Sequence, residues 1–182
     1  MESINQKEPQ FQDYMGCAKN QAVLANLETD SGEKVIFSCV VVKFNRWGMK
    51  QDRTLLLTNH CLYNIKKDQV QRRISVGAVK AVSKSTKEQK EFIVHVKSEY
   101  DYRFESDFRK EIFEALKWVF YSTNKSNLPV YAVPDKLKEY ATSKKDIIQG
   151  VEVNPNEQFR DKKEDKYPEG PSSGSSNASM ST

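Results

Sequence analysis

The chain has 182 residues, a mass of 21.0 kDa, a formal net charge of +4 and a mean hydropathy of −0.74. That length supports one domain with a proper core and is too short for two of ordinary size. Seven glycines and six prolines exclude a collagen-like chain, and no window approaches the roughly 20 apolar residues of a membrane-spanning helix. The first six residues have neither a basic stretch nor an apolar run, so no secretory leader is expected. Glu2 stands where myristoylation needs Gly, and the last residues offer no prenylation Cys. Residues 1–32 hold Phe11, Tyr14, Met15 and a helical pattern around 21–27, and are expected to form an N-terminal extension packed on the main domain. Residues 35–44 are β-branched and aromatic and apolar on both faces, as a buried strand requires. Residues 54–58 and 61–65 follow, joined by Asn59-His60, where Asn suits a turn with φ > 0. Strands are then expected at 70–76, 78–83, 92–96 and 100–105. The last puts Tyr100, Tyr102 and Phe104 on one face and Asp101, Arg103 and Glu105 on the other.

The period then changes. Phe108, Ile112, Leu116 and Val119/Phe120 build one helical face, with Ser106 as N-cap and Asp107 where the helix dipole favours a negative charge. Seven antiparallel strands followed by one amphipathic helix is the order of a pleckstrin-homology-like (PH-like) barrel, in which the helix plugs one open end, and the same pattern also fits another small β-barrel with a terminal helix. The expected fold is therefore mainly β with a C-terminal α-helix, over residues 33–123. Residues 124–153 form a C-terminal extension with a short helix starting near Asp135. Residues 154–182, charged at first and rich in Pro, Gly and Ser at the end, read as a disordered tail.

Cys17, Cys39 and Cys61 are an odd number at wide spacing with no CxxC pair, so neither a disulfide framework nor a zinc site is expected. Reduced, buried thiols imply a reducing compartment, hence a cytoplasmic protein. His60 and His95 are isolated. There is no Gly-rich phosphate loop, HExxH or nucleophile elbow, so neither an enzyme nor a cofactor is expected. Charge is unevenly placed. Fourteen basic residues face six acidic ones between Lys43 and Arg103, a surplus of eight in a chain whose total is +4. Such a basic half points to a polyanionic partner.

The most informative segment is Val40 to Thr58. It places Lys43 near the end of one strand, Arg53 at the start of the next, and Arg46 and Lys50 in the connection. Facing strand ends bring such cations together, and phosphate oxygens accept several charge-assisted hydrogen bonds, two from a single Arg. Each cation near an anionic leaflet contributes about 1 kcal/mol, so four supply roughly 4 kcal/mol, or binding no tighter than about millimolar. Headgroup contacts or a second anchor must add to it. Trp47 and Met49 at the loop tip suit a bilayer interface, unless Trp47 folds back onto the barrel.

At this segment the sequence resembles the tail-homology-one domain of class I myosins, a lipid-binding tail. The similarity runs through Phe11-Gln12-Asp13-Tyr14-Met15-Gly16, Val35-Ile36-Phe37-Ser38 and Lys43-Phe44-Asn45-Arg46. It continues in Leu55-Leu56-Leu57-Thr58 with Leu62-Tyr63, then Arg73-Ile74 and Phe92-Ile93-Val94-His95-Val96, over roughly residues 11–122. The resemblance implies a PH-like fold that binds anionic phospholipids, phosphoinositides included. In the family's headgroup signature a strand-one Lys and a strand-two Arg are the main ligands, and they match Lys43 and Arg53. The basic residue often found two places before that Arg is here Gln51, beside Asp52, with Lys50 the candidate substitute.

The leading expectation is a non-catalytic, peripheral membrane-binding module that links membrane to cytoskeleton. The alternative is a PH-like docking module in a cytoskeletal or ciliary assembly, holding an extended peptide against a sheet edge. Nucleic acid is not expected as a partner, since no RNP-type aromatic run or helix-turn-helix occurs.

Overall fold

A computed structural model describes residues 9–166. One eight-stranded sheet is built from β1 (Val35–Phe44), β2 (Lys50–Thr58), β3 (Cys61–Lys66), β4 (Gln69–Ser75), β5 (Val79–Ser85), β6 (Glu91–Val96), β7 (Tyr102–Glu105) and β8 (Val130–Val133). Its order is β4-β3-β2-β1-β7-β6-β5-β8. Two antiparallel runs, β1 to β4 and β5 to β7, are joined where the end of β1 pairs with β7 at Val42↔Glu105 and Lys43↔Phe104. The end strands β4 and β8 do not pair, so the sheet has eight strands and is not closed, in place of the seven-stranded barrel expected.

Strand periodicity decides the core. Phe37, Cys39 and Val41 of β1 and Leu55 and Leu57 of β2 alternate onto the inner face, against Phe92, Phe104 and the helix α2 (Arg109–Asn124). That helix buries Ile112, Leu116, Val119 and Phe120 of the expected face together with Phe113, while Phe108 stands at its N-cap. It begins at Arg109, later than Ser106. The Ser106 hydroxyl nevertheless accepts from Phe108 N and donates to the Val40 carbonyl, tying the helix start to β1.

The outer face of β2 and β3 is apolar too, and the N-terminal extension covers it. Cys17, Val23 and Leu27, around the short helix α1 (Gln21–Leu24), pack on Leu56, Cys61, Tyr63 and Ile65. Buried Glu33 fastens this layer. Its carboxylate accepts from Thr58 Oγ1 at 2.7 Å, Tyr63 OH at 2.6 Å and Glu28 N at 2.7 Å. Burial raises its pKa, but these bonds and Arg73 outweigh burial and hold it below the usual carboxylate range.

Three further features differ from the sequence expectation. The Asn59-His60 turn exists, but neither residue has positive φ. Instead Thr58 Oγ1 accepts from His60 N and Cys61 N, and Asn59 bridges Lys34 N and the Gly32 carbonyl. Left-handed backbone falls at Lys67-Asp68 between β3 and β4, both at φ > 0. Secondly, the C-terminal extension adds β8, parallel to β5 from Val82↔Val130 to Ser85↔Val133. A four-residue apolar run between prolines carries little strand signal, and its pairing partner lies some 50 residues back in sequence. The segment from Asp135 forms a 3-10 turn (Leu137–Tyr140), and α3 (Lys144–Ile148) follows. Thirdly, residues 154–166, expected to be disordered, pack against the sheet. Tyr131 bridges to Arg160, Arg160 pairs with buried Asp165, and Glu164 meets Lys84 and Lys117. The ion pairs hold what composition alone reads as a solvated tail. The rest of that expected tail, 167–182, lies outside the described residues.

Candidate functional site

Register places the cations. Across β1 and β2, Val41 faces Arg53 and Lys43 faces Gln51. Directly opposed residues share a face, so Lys43, Gln51 and Arg53 project to the same side as core residues Val41 and Leu55, at the end where the β1–β2 hairpin leaves the core. Across β3 and β4 the same face continues through Asn64, opposite Leu55, and Arg72, opposite Asn64. From β7, Tyr102 stacks on Phe104, the partner of Lys43, with ring centroids 4.8 Å apart. Five strands thus line one mouth with Lys43, Arg53, Asn64, Arg72 and Tyr102.

Arg53 and Arg72 are held in place by other groups of the protein. The Arg53 guanidinium donates to Gln51 Oε1 at 3.2 Å and to the Asp52 carbonyl at 2.8 Å. Gln51 is therefore an orienting partner of Arg53. The Arg72 guanidinium lies 3.6 Å from the Tyr100 ring centroid and 4.4 Å from that of Tyr102. It donates to the Tyr100 carbonyl at 2.7 Å and to Glu99 at 3.1 Å. Lys144, the first residue of α3, reaches the same rim, 4.8 Å from the Tyr100 centroid. Burial, followed by the positive charges of Arg53, Lys144 and Arg72, pushes the Lys43 ammonium below its ordinary pKa.

The mouth also holds polar atoms without a hydrogen-bond partner in the protein. Arg53 Nε, Arg72 Nη1, Asn64 Oδ1 and Tyr102 OH are buried in this state. Burial pushes the Tyr102 phenol up despite the nearby Arg72, so it stays a neutral donor. Crowded cations with free donors are unfavourable alone and favourable around an anion.

The connecting loop is closed by its own hydrogen bonds. Asn45 Oδ1 accepts from Trp47 N and Met49 N, both at 2.9 Å, Asn45 N donates to the Met49 carbonyl, and Gly48 supplies the φ of 79° that closes the turn. Trp47 is 67% and Met49 58% exposed, so the indole does not fold back onto the sheet. Arg46 stacks on Trp47 at 4.0 Å. Lys50 does not join Lys43 and Arg53. It is opposite Phe44, on the other face, and pairs with Glu105 at 2.8 Å.

Sequence reading picked out Lys43 and Arg53. It gave no role at the mouth to Arg72, Tyr102, Asn64 or Lys144. Arg72 interrupting an otherwise apolar face of its strand was the available signal.

Residues 3–171 match the family of the unconventional myosin tail, described as actin- and lipid-binding. The chain belongs to that family. The matched range takes in every motif from Phe11-Gln12-Asp13 to His95-Val96 on which the resemblance was read. Solved structures similar to this myosin tail include the hSac2 domain of the human phosphoinositide phosphatase Sac2, at 17% identity and a TM-score of 0.49, covering 63% of this chain and 84% of that one. The Slm1 PH domain in complex with inositol 4-phosphate is 16% identical with a TM-score of 0.39, covering 47% and 97%. The PH domain of human oxysterol-binding protein-related protein 11 is 17% identical with a TM-score of 0.40, covering 48% and 79%.

Other polar and thiol groups of the chain are buried away from the mouth. His95 bonds Ser83 Oγ at 2.7 Å and Asp101 at 2.9 Å, the order of a hydrolytic triad. Ser83 and His95 are both fully buried within the sheet, out of reach of a substrate. Asp101 also accepts from Val96 N and Thr142 N, so the cluster roots the C-terminal extension. Cys17, Cys39 and Cys61 are free and buried, and burial pushes the Cys39 thiol up to about 12. No helix among the described residues is long and apolar enough to cross a membrane.

Proposed function

We propose that this myosin tail is a non-catalytic, PH-like module that docks on anionic membranes from the cytosol by taking a phospholipid headgroup, phosphoinositides included, into the mouth between β1–β2 and β7. The observation that carries this reading is the convergence of Lys43, Arg53 and Arg72 from three strands, with Lys144 close enough to weaken the Lys43 proton affinity. Lys43 and Arg53 are the main ligands. Arg72 Nη1, Arg53 Nε and Tyr102 OH supply hydrogen bonds beyond the diffuse attraction of a leaflet for surface cations. Arg46 rides with Trp47 and Met49 on the loop tip, where an aromatic ring and a thioether enter the interfacial zone. Lys50, turned to Glu105, serves only as background charge.

The peptide-docking alternative has less to work with. The outer edge of β5 is filled by β8, and β8 in turn is bridged to Arg160. The open edge is β4, guarded by Arg72 and Arg73.

Sedimentation with phosphatidylserine or phosphoinositide vesicles tests the reading. Lys43→Ala and Arg53→Ala each lose about ten-fold or more in binding, and Trp47→Ala loses a few-fold. Wild-type protein that ignores anionic vesicles at moderate salt, or both mouth variants binding normally, refutes it.

A further inference from the structure

Beside the mouth lies a surface that the headgroup reading does not use. In α3 and the turn after it, Ile147, Ile148 and Val151 are 36%, 85% and 48% exposed. An Ile left almost wholly in water on a short, well-ordered element is costly and has no role in the fold.

The element is built to hold these side chains out. Ser143 and Asp146 form a reciprocal capping box, and Gly150, at φ 70°, turns the chain so that Val151 N reaches the Asp146 carbonyl. At the base, Thr142 Oγ1 accepts from Val153 N and donates to the Val153 carbonyl, closing residues 142–153 into a loop. That base is tied to the sheet by paired bonds between Asp101 and Thr142. Lys144 reaches back to Tyr100 at the rim of the mouth, and Lys145 next to it is exposed. The apolar side chains therefore lie beside two lysines, of which Lys144 reaches the rim of the cationic mouth.

We propose that the tip of the 142–153 loop is a second membrane-insertion element, burying Ile148 and Val151 in the acyl-headgroup boundary of the same anionic leaflet whose headgroup occupies the mouth. Charge selects the occupant. Lys144 and Lys145 flank the apolar side chains as snorkelling cations do at an anionic interface, and Lys144 faces the headgroup site itself. The inference rests on the headgroup reading, and it supplies the added anchor that four cations near a leaflet require.

The test separates the two. Cys17, Cys39 and Cys61 are buried, so an environment-sensitive thiol probe on Ile148→Cys reports that position alone. With phosphatidylserine vesicles containing brominated acyl chains, the probe blue-shifts and is quenched. The Ile148→Ser/Val151→Ser protein binds those vesicles about ten-fold more weakly while binding soluble inositol polyphosphate like wild type. Lys43→Ala loses both. Vesicle binding with an unquenched probe overturns the insertion and leaves the headgroup reading standing, and this is the result if a protein partner covers the tip instead. Wild-type protein that binds neither vesicles nor inositol polyphosphate overturns both.

Discussion

Two charged clusters in this molecule are built in opposite ways. At Glu33 one carboxylate sits under the N-terminal extension with hydrogen bonds from Thr58, Tyr63 and the backbone of Glu28. At the mouth Lys43, Arg53 and Arg72 gather from three strands, and Arg53 Nε, Arg72 Nη1 and Tyr102 OH keep donors without acceptors. The first arrangement is complete within the protein and holds the fold together. The second is incomplete, and an external anion completes it. Satisfied and unsatisfied polar groups thus separate the structural charge from the binding charge, a distinction that burial alone does not make.

The comparison breaks if the two sites respond alike to substitution. Glu33→Ala orphans the Thr58 and Tyr63 hydroxyls and the Glu28 N–H. It is expected to lower unfolding stability in urea by about 3 kcal/mol, with vesicle binding per folded molecule unchanged. The same carboxylate makes stability depend on pH. Its folded pKa lies below the unfolded one, so its contribution is present above about pH 4.3 and is lost as pH falls through the folded value. Acid titration of Glu33→Gln therefore shows a flatter slope than wild type.

At the mouth the signs reverse. Lys43→Met removes a half-buried cation repelled by Arg53, Lys144 and Arg72 while keeping its aliphatic stem. Vesicle binding falls about ten-fold or more, and stability is equal to or higher than wild type. Loss of stability together with binding would make Lys43 a structural residue. Raising pH gives a smaller effect of the same kind. Because the Lys43 pKa is lowered, it loses its proton before ordinary surface lysines, and binding weakens as pH climbs toward about 10. Lys43→Met removes that limb of the profile. Smallest of all is Lys50→Ala. Its side chain turns to Glu105 on the other face, and binding changes by less than about two-fold.

Much of this was legible in local pattern. The alternation of Tyr102 and Phe104 against Arg103 and Glu105, and the spacing of Ile112, Leu116 and Phe120, placed β7 and α2 because burial imposes the period of each element. Lys43 and Arg53 could be paired in advance because one hairpin fixes their relation. Arg72 and Lys144 could not, since each reaches the mouth through pairings or loops that close over long stretches of chain. The same holds for β8, whose four residues gain strand structure only from the edge of β5.

The sequence by itself determined the mainly β architecture with its helix, the tail-family membership and the basic hairpin, all of which rest on contacts between near neighbours or on collinear motifs. Only the tertiary structure decided which cations share a face, which carboxylates neutralise the others, and that the C-terminal extension closes the β5 edge and brings α3 to the mouth. The physical reason is that register and long-range pairing set side-chain direction, and a one-residue shift between strands would send Lys43 and Lys50 to each other's faces.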